Sequence, residues 1–205
     1  MRYCALILAV GAAVLLAAGC MDYSQKIVIQ EDGSAMVVLD GWLDESLTGL
    51  SEEVSAETGV PENIFLSEFE GEPGVEITDS YVETNEKTKV EHHHVTVNVE
   101  SSDALDDLPS FGGSAGNVKW ETGGGEATFE QKLYNEPEAY DSAEEEDLMR
   151  SLFEGYTWTY EVVMPGPITQ TNGTVGADGR TVTWTWPLFD FARVEEIVMT
   201  ATCEM

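Results

Sequence analysis

Period-two alternation of apolar and polar residues runs through most of this 205-residue chain, and that pattern selects β-sheet. Lys26 to Gln30 and Ala35 to Leu43 flank Glu31-Asp32-Gly33-Ser34, whose Asp-Gly pair suits a tight hairpin. Val75 to Thr84 and Lys87 to Glu100 flank Asn85-Glu86, which predicts a second hairpin. Asn117 to Glu121 and Glu126 to Tyr134 flank Thr122 and three glycines, which predicts a third. From Tyr156 to Met164 one face carries Tyr156, Trp158, Tyr160, Val162 and Met164, and the other carries Thr157, Thr159 and Glu161. Thr181 to Trp186 and Glu196 to Glu204 are the closing strands.

Helical signals fall between the hairpins. Ser46 to Thr58 reads as a helix ended by Gly59, and Pro61 suits the first turn of a short helix reaching about Glu70. Ser102 to Leu108 is a short helix stopped by Pro109. Ser142-Ala143-Glu144-Glu145 is a capping box opening a helix to about Phe153, with Leu148, Met149, Leu152 and Phe153 as its apolar face. The order of elements predicts an α+β fold: a mainly antiparallel sheet built from hairpins, with short helices packed on one face.

The first twenty residues address the chain. Arg2 precedes an apolar run from about Ala5 to Ala18, too short to span a bilayer but of the length of a signal h-region. Ala17-Ala18-Gly19-Cys20 resembles the lipobox of bacterial lipoproteins. That resemblance implies cleavage before Cys20 and a lipid on its sulfur, with palmitate-type acyl chains as the anchor. The organisation expected is a signal peptide over 1–19, the lipidated Cys20 and a short tether over 20–25, and one extracytoplasmic domain over 26–205. The site of action is then the bacterial cell envelope, at the outer face of the cell membrane or at the outer membrane.

Charge narrows the partners. There are 39 acidic and 9 basic residues, a formal net charge of −30, and loss of Arg2 with the signal makes the chain one unit more acidic. Such a surface repels nucleic acid and anionic head groups. It favours a basic envelope protein as partner. It suits equally a salty habitat, where screening relieves self-repulsion, and plain solubility. Of the three cysteines only Cys203 is left for the folded domain, so no internal disulfide is available and Cys203 reads as a small buried hydrophobe.

Both ends of the mature chain resemble the LppM-type lipoprotein domain of bacterial envelope proteins. Near the start the resemblance lies in Ile27-Val28-Ile29-Gln30-Glu31-Asp32-Gly33-Ser34. Near the end it lies in Val163-Met164-Pro165-Gly166-Pro167-Ile168, Thr171-Asn172-Gly173, Thr181-Val182-Thr183-Trp184 and the closing strand around Ala201. It covers about a quarter of the chain. It implies an α+β envelope domain with a binding or assembly role, with lipid or glycolipid among the targets it suggests, and brings no catalytic residues.

Two groups of side chains stand out as candidate sites. Trp158, Trp184 and Trp186 with Tyr156 and Tyr160 are either core or a stacking platform for a sugar or lipid. His92 and His94 share a strand face roughly 7 Å apart, within reach of one metal ion if a neighbouring strand adds a ligand. Glu83, across the hairpin, is the nearest guess. The plainer reading is three polar residues on a half-exposed strand, and on it no metal or other cofactor is assigned; His93 shares its face with Val95, Val97 and Val99 and belongs at the core edge. No nucleophile elbow or phosphate-binding loop occurs. The expected function is a non-catalytic, lipid-anchored binding or assembly protein. The alternatives are a carrier holding a lipid or glycolipid between sheet and helices, and a polysaccharide hydrolase using two carboxylates about 5–10 Å apart.

Overall fold

The computed structural model describes residues 21–44, 63–87, 90–106, 118–135, 140 and 142–205. The signal segment, Cys20 and the helix expected over 46–58 lie outside them. The described residues form eleven strands: β1 Met21–Ile29, β2 Ala35–Asp44, β3 Val75–Asn85, β4 Val90–Val99, β5 Val118–Gly123, β6 Glu126–Tyr134, β7 Thr157–Val163, β8 Ile168–Thr171, β9 Thr174–Val175, β10 Thr181–Pro187 and β11 Glu196–Glu204. Among the described residues four short helices join them: α1 Leu66–Phe69, α2 Ser102–Asp106, α3 Ala143–Leu152 and α4 Leu188–Phe191. Among the described residues no helix is long and apolar enough to cross a membrane.

Mainly antiparallel sheet with short helices is the architecture, but the strands divide between two sheets. One has seven strands in the order β3-β4-β2-β1-β7-β10-β9, the other four in the order β5-β6-β11-β8. The division occurs at Pro165-Gly166-Pro167. β7 ends in the first sheet, and β8, a few residues on, pairs with β11 in the second. Gly166 is required at this corner because a Cβ there would lie 1.7 Å from the Glu204 carbonyl oxygen. β1 is paired on both sides, antiparallel to β2 and parallel to β7. The parallel pair was not expected, because nothing local in the sequence connects residues more than 130 positions apart.

Hairpin chemistry follows the turn residues. Asp32 accepts hydrogen bonds at one carboxylate oxygen from the Ser34 amide (3.0 Å) and hydroxyl (2.7 Å), and Gly33 takes φ +84°. Those bonds hold the Asp32 carboxyl below its ordinary pKa. Between β5 and β6 Gly124 and Gly125 both have positive φ, as a two-residue primed turn demands. β1 begins at Met21, which pairs with Leu43, so the residues expected as a tether over 20–25 are strand from Met21 onward. At α3 the Ser142 hydroxyl accepts from the Glu145 amide at 3.2 Å, the expected cap. Met149 and Phe153 are buried there, whereas Leu148, expected on the same face, is exposed.

The core lies between the inner faces of the two sheets and the helices α1 and α2. Ile27, Val37, Leu39, Val95, Val97, Tyr160 and Val162 from the large sheet meet Phe129, Leu133, Met199, Ala201 and Cys203 from the small one. Phe65, at the N-cap of α1, and Phe69, its last residue, join this core, and Leu105 contributes from α2. Cys203 is fully buried, as its phase in the strand predicted. A polar chain crosses this core. The Tyr23 hydroxyl donates to Gln25 Oε1 (3.3 Å), Gln25 Nε2 donates to the Tyr160 hydroxyl (3.4 Å), and that hydroxyl donates to Gln131 Oε1 on the opposite sheet. Burial raises both tyrosine pKa values well above the ordinary one, so both stay neutral donors.

Candidate functional site

The outer face of the large sheet carries the densest group of chemistry-bearing side chains described. Because strand residues alternate between faces, the buried set Val37, Leu39 and Leu43 of β2 forces Asp40 and Trp42 outward. On β4 the buried set His93, Val95, Val97 and Val99 does the same for His92 and His94. The register then aligns them: Asp40 opposite His94, Trp42 opposite His92, and from β3 Tyr81 opposite His94 and Glu83 opposite His92.

The geometry is convergent. His92 Nε2 lies 2.8 Å and His94 Nδ1 2.7 Å from the same oxygen of Asp40, Oδ1. The three side chains offer ligand atoms all within 4.8 Å of one another. His94 Nε2 is 2.9 Å from the Thr96 hydroxyl, which holds the ring from behind. Trp42 stacks on His92, with ring centroids 4.8 Å apart and planes within 4°. Tyr81 stacks on His94 at 4.7 Å and meets His92 edge-on at 5.5 Å. Asp40, His92 and His94 are half-buried, while Trp42 and Tyr81 form an exposed aromatic rim.

The pairing of His92 with His94 was legible from their spacing, but the carboxylate that joins them is Asp40, not Glu83. Glu83 is opposite His92 in register yet exposed. His93 faces inward. Its Nδ1 accepts from the Ile64 amide at 3.5 Å, and its Nε2 is 3.4 Å from Glu91. Burial lowers its pKa against the opposing pull of Glu91, which suits a neutral ring donating through Nε2.

The aromatic group singled out in the sequence lies elsewhere. Trp158, Tyr160 and Trp184 are buried within the core, and Trp158 packs against Trp186 (5.2 Å) and Phe191 (4.3 Å). The Trp184 indole donates to Asn172 Oδ1 at 2.8 Å. Tyr156 packs with Met149, Phe153 and Phe189 in a small satellite cluster under α3. Trp158, Tyr160 and Trp184 therefore act as packing groups, while Tyr156 and Trp186 are half-buried.

One interior group was missed by sequence reasoning. Glu68, on α1, has a carboxylate oxygen, Oε2, that is buried with no hydrogen-bond partner. Desolvation raises its pKa to about 7. Its place in the short stretch Phe65 to Phe69, two aromatic anchors around one acid, was the available signal.

No family model matches the chain, and no curated protein matches it. Among solved structures it is similar to the folded domain of the LppM protein of Mycobacterium tuberculosis, with a TM-score of 0.44 and 12% identity over 90% of each chain. It is also similar to the Fcho1 mu homology domain of Danio rerio with bound Eps15 peptide, with a TM-score of 0.29 and 8% identity over 90% of this chain and 79% of that one. Both are low-level likenesses of fold.

Proposed function

We propose that the chain is a lipid-anchored extracytoplasmic protein of the bacterial envelope that binds or assembles and does not catalyse. The observation that carries this reading is Ala17-Ala18-Gly19-Cys20 at the end of a signal-length apolar run, directly before the first residue of β1. Two acyl chains on Cys20 supply the two anchoring signals that durable attachment needs, at about 0.8 kcal/mol per buried CH₂. With β1 starting at Met21, the domain stands against the membrane with almost no spacer. A net charge of −30 then favours a basic envelope protein as partner.

The test is expression in a bacterium followed by mass spectrometry of the mature N-terminus. The expected result is a first residue of Cys20 bearing a diacylglycerol-type mass, with the protein in the detergent phase of a detergent extraction. Cys20→Ala abolishes the lipid-bearing mass at that position. An unmodified thiol at that position in a wholly aqueous protein overturns the reading.

A further inference from the structure

We propose that Asp40, His92 and His94 form a binding site for one divalent transition-metal ion of the zinc type. Two imidazole nitrogens and one carboxylate oxygen form a donor set suited to zinc, copper, nickel or cobalt. Calcium and magnesium prefer all-oxygen shells. Tetrahedral zinc with ligands at about 2.0–2.2 Å separates its ligand atoms by about 3.4 Å. The 2.7 and 2.8 Å separations of Asp40 Oδ1 from the two ring nitrogens must open to that value, and all three ligand atoms already lie within 4.8 Å of one another.

Three further features separate this cluster from an ordinary surface group of polar residues. First, its ligands come from paired central strands, β2 and β4, whose register is set by a buried inner face. Rigid elements of this kind hold ligand geometry better than loops. Second, when His94 Nδ1 binds metal, the proton belongs on Nε2, where the Thr96 hydroxyl accepts it at 2.9 Å. That is the outer-shell contact that fixes a ligand tautomer. Third, Trp42 and Tyr81 lie flat against the two rings and limit their rotation. Three protein ligands leave the fourth tetrahedral position open. The net charge of −30 raises the local cation concentration there.

This site is independent of the lipid anchor, so either reading can fail alone. The test is calorimetric titration of the full chain in detergent with Zn²⁺, in excess Mg²⁺ to saturate general carboxylate binding. One Mg²⁺-resistant equivalent is expected. His94→Ala and Asp40→Asn each weaken it more than about tenfold, by comparison with the 10–100-fold cost of losing outer-shell partners alone. Glu83→Gln leaves it unchanged, which separates the site from diffuse acidity. Cu²⁺ bound to the unaltered chain shows nitrogen hyperfine splitting in its electron paramagnetic resonance spectrum, a readout that needs no variant. Absence of a Mg²⁺-resistant equivalent overturns the proposal. So does an equivalent that survives His92→Ala with His94→Ala, or a copper spectrum without nitrogen splitting.

Discussion

Glu68 makes the fold prefer mild acid over mild alkali, and the effect can be isolated. An unfolded-state glutamate ionises near 4.5, whereas burial of Oε2 without a partner holds the folded carboxyl near 7. Between those values the native state keeps a proton that the unfolded chain has lost. Stability attributable to Glu68 is therefore fully present below pH 4.5 and falls as pH rises to about 7. The carboxyl retains partial solvent access, so the loss is about 1–2 kcal/mol, less than full linkage gives. Glu68→Gln removes the titration and keeps the shape. The assay is urea unfolding of both proteins at intervals from pH 5 to pH 8, in about 1 M NaCl to screen the global charge. His93, whose lowered pKa works in the opposite direction, is common to both and cancels in the difference. The variant should gain about 1–2 kcal/mol on the parent across that range. A difference that stays flat, or that moves the other way, refutes the burial argument.

Three further outcomes follow from the packing. Gly166→Ala drives a methyl into the Glu204 carbonyl at the corner between the sheets, and should cost more than about 2 kcal/mol in thermal or urea unfolding. Tyr160→Phe removes the hydroxyl between Gln25 and Gln131 and leaves a buried amide on each side short of a partner. It should cost about 1–3 kcal/mol although no carbon is lost. Asp178 accepts from the Arg180 and Thr181 amides and the Thr181 hydroxyl, which lowers its carboxyl to about 2. Its contribution is present above pH 3.8 and fades as pH falls toward 2, so Asp178→Ala should flatten the acid limb of the stability profile.

Most strands and the α3 cap could be read from the sequence because each is encoded locally, by alternation or by a few residues around a turn. The site was half readable for the same reason. His92 and His94 are two positions apart on one strand, so their shared face follows from pleating alone. Asp40 belongs to a strand more than fifty positions earlier, and only the β2–β4 register brings it there. Glu83 was the natural guess because it lies across a tight hairpin, where sequence distance and spatial distance agree. The split into two sheets failed to show because β7 and β8 are separated only by the Pro165-Gly166-Pro167 corner, which resembles any tight turn in sequence. Gln25 and Gln131 did carry a signal. Each occupies an inward phase beside Tyr23 and Ile27, or Phe129 and Leu133, where a polar side chain needs a buried partner.

The double pairing of β1 has a mechanical consequence. A pull at Met21 acts along the axis of a strand bonded to β2 on one flank and β7 on the other. Those two ladders resist in shear, many bonds together, instead of unzipping one after another as a peripheral strand would. Traction applied at this end of the domain would thus be borne by the interior of the sheet, and the domain should hold its shape under drag.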